Sequence, residues 1–130
     1  MNFLGKVLHI DLSRKKTWVE EIEKEAWMKF LPSRGLNVKL LWELTDENTD
    51  PLGKENVLIF GTGGFAGSEA PASGRTTVTF KSPATNMYFK SNVGGKWGAE
   101  LKFTGYGYLI FHGKAEKPVY IYIEDDDVYF

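Results

Sequence analysis

Glycine is concentrated in the middle of the chain, and this restricts what that stretch can fold into. After an apolar run at residues 57–60, glycines stand at positions 61, 63, 64, 67 and 74, and a second group stands at 94, 95 and 98. Repeated glycine disfavours a long helix, but it allows tight turns and lets another group come close to the backbone. The stretch from 61 to 74 is therefore predicted to form loops that follow a buried strand.

This glycine-rich middle also carries an unusual local charge. The chain as a whole has a formal net charge of -1 at pH 7, which is not typical of a protein that binds nucleic acid. Residues 71–99 contain no Asp or Glu, whereas Arg75, Lys81, Lys90 and Lys96 are cationic. A basic segment without acidic residues, next to glycine-rich loops, favours an anionic ligand. The acidic run at 124–127 is predicted to be a solvated turn.

The overall composition indicates a single folded domain over residues 1–130. The chain of 130 residues is 42% hydrophobic and 15% aromatic, which is enough to form a core without disulfides. It contains no Cys, which excludes a disulfide and any cysteine-ligated zinc, haem or iron–sulfur site within these residues. No run is long and apolar enough for a signal peptide or a membrane span, so we expect a cytoplasmic location and no membrane partner.

Hydrophobic periodicity predicts an α+β chain that begins with a β-hairpin. The predicted strands are residues 7–12, 17–22, 57–60, 76–80, 87–90, 108–111 and 119–123, with another beginning at 128, and the predicted helices are 23–31, 36–44 and 94–103. The apolar stripes of the first two helices are assigned to the core, with Asn37 outside the buried face. His9 is placed on the face of its strand opposite Leu8 and Ile10, where a structural or an exposed histidine is expected rather than a catalytic one.

One glycine pattern matches a nucleotide-binding loop but lacks the required context. Gly61-x-Gly63-x-x-Ala66 follows a predicted strand, as a dinucleotide-binding fingerprint does. That fingerprint must open a helix, and Gly67, Pro71 and Gly74 disfavour one here. It also requires an acidic residue about 20 positions further on, where this chain has none. A dinucleotide-binding fold is therefore disfavoured.

Two other segments suit a phosphate better. Arg75 stands just before a predicted strand, and its planar guanidinium matches the spacing of phosphate oxygens. At residues 92–95 the pair Gly94 and Gly95 would let a ligand approach the backbone, and the oxygen of Asn92 is a good ligand for a hard cation. Alternatively, Arg75 is an ordinary surface arginine and Asn92 caps the following helix. Together with the local charge, the combination favours a phosphate-bearing ligand.

Nucleophilic or acid–base catalysis finds little support in the sequence. No Ser lies in a Gly-x-Ser-x-Gly elbow, and His112 lies at the end of a predicted strand. Glu69 and Glu100 are the only carboxylates between 61 and 105, and their spacing predicts no pairing. Glu100 is expected on the exposed side of its helix. No catalytic residue is therefore assigned.

A resemblance to a known family covers nearly the whole chain and keeps its motifs in order. The motifs are SEAPASGR at residues 68–75, KSP at 81–83 and NVGGKWGAELKFTGY at 92–106, with shorter matches at 5–13, 33–36, 50–52 and 113–115. Together they resemble the N-terminal domain of tungsten-dependent aldehyde:ferredoxin oxidoreductases. So many ordered matches are far more specific than an isolated glycine motif.

The resemblance implies a fold, a cofactor and an activity. The implied fold is α+β, with β-sheets folded around a pterin cofactor and a few short helices. The implied cofactor is a tungsten (or molybdenum) bis-pyranopterin whose phosphates are bridged by magnesium. By this resemblance Arg75 contacts the phosphates, Asn92 binds the magnesium and the pterin, and Gly94 and Gly95 line the pterin. The whole enzyme would oxidise an aldehyde to a carboxylic acid, pass electrons to ferredoxin and often form a homodimer.

The resemblance also implies that residues 1–130 hold only part of such an enzyme. The 4Fe-4S ligands and the acid–base residues of the family lie C-terminal to this region, so we expect an incomplete N-terminal cofactor-binding domain that works with the remainder of the oxidoreductase chain. Ser73, Val93 and Trp97 differ from residues frequent in the family, which bears on pocket shape and substrate. A stand-alone, non-catalytic pterin-binding or assembly module stays open as the alternative, and so does an unrelated nucleotide-binding protein.

Overall fold

The predicted N-terminal hairpin is confirmed. A computed structural model describes residues 5–130, and its first elements are the antiparallel strands β1 (Lys6–Asp11) and β2 (Lys16–Glu21). Lys15, in the turn between them, has a positive φ of 52°. Four residues in the middle of β1 are buried, whereas all six residues of β2 are exposed. β1 is thus an inner strand and β2 an edge strand of the same sheet.

Two helices follow, α1 (Lys24–Phe30) and α2 (Arg34–Leu44), separated by a sharp bend. Leu31 and Ser33 have positive φ values of 63° and 70°, and Pro32 lies between them. A Cβ at Gly35 would overlap the carbonyl of Phe30, so only glycine lets the two helices come this close. The bend at residues 31–33 therefore fixes where α2 begins.

The burial predicted for these helices is wrong in part. Leu36, Leu40 and Leu41 are buried as expected, but Phe30 and Leu31 at the end of α1 are exposed, and so is Leu44. α1 has no fully buried residue, and of its predicted stripe Ala26 and Trp27 pack, partly buried, against the core.

Asn37, predicted to lie outside the buried face, is fully buried. Its amide nitrogen lies 3.0 Å from the Thr77 carbonyl and 3.2 Å from the Thr79 hydroxyl. Its Oδ1 has no hydrogen-bond partner within residues 5–130 and faces Gly61, where a Cβ would overlap it. A polar residue is tolerated here because the sheet offers acceptors that a sequence pattern does not reveal.

The rest of the chain completes a mixed sheet. Its elements are β3 (Leu58–Thr62), β4 (Thr76–Lys81), β5 (Tyr88–Val93), α3 (Trp97–Phe103), β6 (Tyr108–His112), β7 (Tyr122–Glu124) and β8 (Asp127–Tyr129). The six-stranded sheet has the order β2-β1-β6-β3-β4-β5, in which β1 and β6 are parallel and the other neighbours antiparallel. β7 and β8 form a separate hairpin. The acidic run 124–127 is exposed, as predicted, but only residues 125 and 126 form the turn of the hairpin, because Glu124 ends β7 and Asp127 begins β8. The predicted strand at 119–123 is wrong over most of its length, because β7 begins only at Tyr122.

Both faces of the six-stranded sheet are covered. On one face α2 packs against a cluster that includes Val7, Ile59 and Ile110. On the other face α3 and the β7–β8 hairpin pack around Leu8, Ile10 and Leu109. Strands covered on both sides are apolar on both sides over most of their covered length, as β1 and β6 are apart from His9, Asp11 and His112. The prediction of an α+β fold with β-sheets and a few short helices is confirmed. No helix within residues 5–130 is long and apolar enough to cross a membrane.

Candidate functional site

The sheet brings the glycine-rich segments to one end. Thr62 at the end of β3 pairs with Thr76 at the start of β4, and Thr76 pairs with Val93 at the end of β5. Residues 62–64, 74–76 and 92–96 therefore lie side by side, and we call them the glycine rim. Segments that are ten or more residues apart in the sequence become neighbours through this strand register.

Two glycines allow close packing at the glycine rim. A Cβ at Gly74 would lie 2.7 Å from the carbonyl oxygen of Gly95, so a larger residue would force these two backbone segments apart. A Cβ at Gly98, in the first turn of α3, would overlap the hydroxyl oxygen of Thr76. These positions hold the start of α3 against β4 and set the course of the 93–96 segment.

Gly94 and Gly95 present a different environment. A Cβ at either position would have no atom of any residue beyond its chain neighbours within 4 Å, so the space beside their backbone is open. Gly95 also has a positive φ of 73°, which favours glycine. The open backbone of this pair is accessible to a ligand that approaches from outside the chain.

Arg75 occupies the position immediately before β4 on the glycine rim. Its side chain is exposed, and within residues 5–130 it makes no ion pair or side-chain hydrogen bond. Its planar guanidinium therefore keeps its donors available for a phosphate. Because Thr76 pairs with Val93, Arg75 lies across from the start of the Gly94–Gly95 pair.

Asn92 lies within β5 and does not cap α3. The helix begins at Trp97, and its N-cap residue Lys96 makes no side-chain capping bond, so the capping alternative for Asn92 is wrong. The side-chain amide lies 3.5 Å from the Thr77 hydroxyl. With its oxygen toward the ammonium of Lys90 and its nitrogen toward the Ser91 carbonyl, both contacts measure 3.3 Å. Asn92 is thus exposed at the glycine rim, and its oxygen already faces a cation.

Ser33 connects the start of α2 to the same end of the sheet. Its N–H donates to the phenol oxygen of Tyr108 at 3.1 Å, and its hydroxyl lies 3.1 Å from the Gly61 carbonyl. The same hydroxyl lies 2.9 Å from that of Thr77, which neighbours Asn92. Burial raises the pKa of Tyr108, so its hydroxyl stays protonated. These contacts hold Ser33 in its positive-φ conformation.

The predicted basic segment does not act as a unit. Lys81 is at the far end of β4, about 17 Å from Thr76 by the rise of a strand. Its buried ammonium donates to the carbonyls of Asp46 and Glu47 at 3.1 and 2.9 Å. Lys81 therefore anchors a loop and is unavailable to a ligand at the glycine rim, where Arg75 and Lys96 remain exposed.

Lys102 is a cation near the glycine rim that sequence reasoning missed. It lies in the last turn of α3, and its half-buried ammonium donates to the Gly64 carbonyl at 3.0 Å. Burial lowers the pKa of Lys102. The spacing of four residues from Gly98 was the available signal, because residues i and i+4 share one face of a helix.

A large apolar cavity lies on the α3 side of the sheet. Its volume is about 1150 Å³, and its lining includes Phe60, Trp97, Leu101, Phe111, Ile121 and Ile123. Arg75, Asn92, Gly94 and Gly95 are not among the lining residues. The phosphate contacts predicted for those four residues would therefore be made outside this cavity.

The residues of the glycine rim fit a phosphate group. Arg75 offers an unpaired planar cation, Gly94 and Gly95 offer open backbone, and Lys96 adds a second exposed cation. The fit to a divalent cation is weaker, since within residues 5–130 no group of three or more His, Asp or Glu side chains could hold a metal ion. A metal at this end would therefore need phosphate oxygens among its ligands.

Comparison with known proteins gives consistent matches over almost the whole chain. Residues 7–130 match the family described as aldehyde ferredoxin oxidoreductase, N-terminal domain. The chain is 46% identical over 124 residues to the tungsten-containing aldehyde ferredoxin oxidoreductase of Pyrococcus furiosus, which covers 95% of this chain and 20% of that protein. The corresponding protein of Thermococcus kodakarensis is 47% identical over 124 residues, with the same coverage.

A solved structure has the same fold. A chain of the active site complex BamBC of benzoyl coenzyme A reductase superposes with a TM-score of 0.93 at 36% sequence identity. The match covers 96% of this chain and 19% of that chain. The 130 residues thus span a fifth of the length of the curated relatives and a similar share of the solved chain.

Proposed function

This chain belongs to the aldehyde ferredoxin oxidoreductase family as its N-terminal domain, and from that membership we propose that it binds the phosphates of a tungsten pterin at the glycine rim. The family resemblance drawn from the sequence motifs is confirmed. The pterin and the residues that hold it are the proposal. The observation that supports them best is the exposed, unpaired Arg75 lying across from the open backbone of Gly94 and Gly95.

Each residue of the proposed site has a distinct role. The Arg75 guanidinium would form paired, charge-assisted hydrogen bonds with phosphate oxygens. Gly94 and Gly95 would let the pterin lie directly against the backbone, because no Cβ intervenes. Gly74 and Gly98 touch no ligand in this scheme, but they set the spacing of the segments that do.

Asn92 is proposed to bind magnesium between the pterin phosphates. Its amide oxygen is a hard donor that suits Mg²⁺, and its position beside Arg75 suits a shared phosphate. To bind the metal, that oxygen must leave the Lys90 ammonium that it now faces at 3.3 Å. Mg²⁺ usually takes few protein ligands and several phosphate oxygens or waters, so one side-chain oxygen from this chain is sufficient.

The redox chemistry would be supplied by the cofactor, and this chain would contribute binding and orientation. We propose that a complete oxidoreductase containing this domain oxidises an aldehyde to a carboxylic acid in the cytoplasm and passes electrons to ferredoxin, acting as a homodimer. Because these residues include no Cys, a 4Fe-4S cluster would have to be held by polypeptide outside them. Molybdenum is the alternative metal.

The test titrates the ¹⁵N-labelled 130-residue chain with inorganic pyrophosphate, with and without MgCl₂. We expect the amide resonances of Gly94, Gly95 and residues 74–76 to shift. Loss of a charge-assisted hydrogen bond costs about 1.5–3 kcal/mol, so Arg75→Ala should weaken pyrophosphate binding by about tenfold or more. Asn92→Ala should abolish any strengthening by Mg²⁺ and leave metal-free binding unchanged.

Matched variants control for general effects of charge and folding. Arg14→Ala removes another exposed arginine, in the turn at the opposite end of the sheet, and should leave binding unchanged. Asn48→Ala removes an exposed asparagine from a distant loop and should leave the Mg²⁺ dependence unchanged. Pyrophosphate binding that Arg14→Ala weakens as much as Arg75→Ala would contradict the proposed site.

A further inference from the structure

A second polar cluster lies on the α2 face of the sheet, toward the end opposite the glycine rim. His9 is only 3% exposed, and its Nδ1 lies 2.8 Å from Nε2 of His112. Its other nitrogen, Nε2, lies 3.1 Å from the carboxylate of Glu20. The three side chains come from β1, β6 and β2, so the cluster joins three neighbouring strands.

The indole of Trp18 closes one side of this cluster. Its ring stacks on His9 with 4.8 Å between centroids and lies 5.1 Å from His112. Trp18 is the register partner of His9, and Asp11 is the register partner of His112. Both imidazoles are thereby held in fixed orientations, with ring contacts that limit rotation.

The geometry defines the tautomers of both neutral imidazoles. A carboxylate only accepts hydrogen bonds, so the proton of His9 must be on Nε2, which leaves Nδ1 as an acceptor. His112 must then donate from its own Nε2, which leaves its Nδ1 unprotonated. Glu20, His9 and His112 thus form a hydrogen-bond chain with a single direction.

The hydrogen-bonded set of Glu20, His9 and His112 can take up only one proton. When the pair takes up one proton, a single proton still lies between His9 Nδ1 and His112 Nε2. The 2.8 Å hydrogen bond therefore persists and becomes charge-assisted. A second proton would make both of these nitrogens donors, and the bond could not survive. The two rings therefore behave as a coupled pair rather than as two independent bases.

We propose that His9 and His112 form a single proton-binding site that secures the edge strand β2 to the sheet. β2 is exposed along its whole length and pairs only with β1 in the six-stranded sheet. The Glu20–His9 hydrogen bond and the Trp18 stack fasten its side chains to buried groups. One proton leaves this attachment intact, whereas a second breaks the His9–His112 bond and leaves two adjacent cations beneath β2.

The surrounding charges support uptake of one proton and oppose a second. Glu20 faces His9, and Asp11 faces His112, so two carboxylates favour a single positive charge on the pair. Two cations offset part of that attraction: Arg14, whose Nε lies 3.9 Å from Oδ2 of Asp11, and Lys16, the cross-strand partner of Asp11 on the same face. Burial lowers the pKa of both imidazoles, and the charge of His9 lowers the pKa of His112 further. Ile59, on the neighbouring strand β3, adds no charge.

The test is a ¹⁵N NMR titration of the imidazoles in the 130-residue chain. At pH 8 we expect both rings to be Nε2–H tautomers. Between pH 8 and pH 4.5 we expect the pair to take up one proton, with the resonances of both rings moving at a common midpoint. An Nδ1–H tautomer at pH 8, uptake of no proton or of two protons in that range, or two unrelated midpoints would overturn the proposal.

Two glutamate variants on the same strand distinguish the effect of the Glu20–His9 hydrogen bond from a general effect of charge. Glu20→Gln keeps an acceptor for His9 but removes the charge, and it should lower the common midpoint by about one pH unit. Glu21→Gln removes the adjacent carboxylate, which pairs across from Lys6 on the opposite face of β2, and should leave the midpoint unchanged. Equal shifts in the two variants, or none in Glu20→Gln, would overturn the proposal.

Discussion

Gly98→Ala tests directly how α3 is held against the sheet. The Cβ of an alanine at position 98 would overlap the hydroxyl oxygen of Thr76 and lie 3.5 Å from Cγ2 of Thr62. Thr76 is fully buried and Thr62 is 2% exposed, so neither side chain can move into solvent. The clash therefore has to be relieved by shifting α3 away from β4 or by forcing Thr76 into another rotamer.

Two opposing effects determine the magnitude. Overpacking a close contact between two regular elements costs about 2–3 kcal/mol, whereas replacing glycine by alanine within a helix contributes about 1 kcal/mol in favour of folding. The clash exceeds the gain in helix propensity, and we expect a net loss of about 1–2 kcal/mol in the free energy of unfolding. For a chain of this size that corresponds to a melting temperature lower by about 4–8 °C.

Urea denaturation of the 130-residue chain measures this change, with Gly94→Ala as the matched control. Gly94 has open space around its Cβ position and no positive φ, so its alanine variant should change the free energy of unfolding by less than about 0.5 kcal/mol. Thr76→Ala removes the obstructing hydroxyl, so Gly98→Ala should cost less in that background. A Gly98→Ala chain as stable as the wild type would refute the close packing of α3 on β4.

Two further predictions concern the pH dependence of stability and the loop that contains Gly64 and Ala66. The folded-state pKa values of His9 and His112 are lowered, so the stability that these residues confer is complete above about pH 6.5 and is lost as the pH falls below it. The unfolding equilibrium constant should rise up to about tenfold per pH unit for each extra proton that the unfolded chain binds. Urea denaturation midpoints at pH 7.5 and 5.5 measure this change. His112→Gln keeps a donor to His9 and should make stability less dependent on pH. An equal pH dependence in this variant would contradict the assignment of the effect to His9 and His112. Lys102→Met removes the bond to the Gly64 carbonyl, so hydrogen exchange at the buried Ala66 amide should become at least about tenfold faster, unlike in the exposed Lys117→Met control.

Local patterns predicted most elements of the fold. Alternation identified the β1–β2 hairpin and the strands β3, β4 and β6, because a buried strand alternates or is apolar throughout whatever its partners are. The burial of the end of α1 and of Asn37 was mispredicted, because it is not a local property. Their burial depends on which surface each helix meets, and an isolated stripe carries no information about that surface.

The candidate site was likewise predictable from the sequence only in part. Glycine content, local charge and ordered motifs already identified Arg75 and the segment from Asn92 to Gly95 in the sequence, and the capping alternative for Asn92 was removed only when β5 proved to extend to Val93. The structure excluded Lys81 from the site and placed Lys102 near it. The net charge of a sequence segment does not show at which end of a strand or helix each cation lies.

Residue chemistry and periodicity are local properties, so the sequence was sufficient for the α+β class, the family motifs and the types of group at the glycine rim. The juxtaposition of Arg75 with Gly94 depends on strand register, and the hydrogen bond between His9 and His112 joins residues 103 positions apart. Such contacts form when strands pair and side chains pack, and many alternative pairings would satisfy the same local patterns. The tertiary structure alone selected among them.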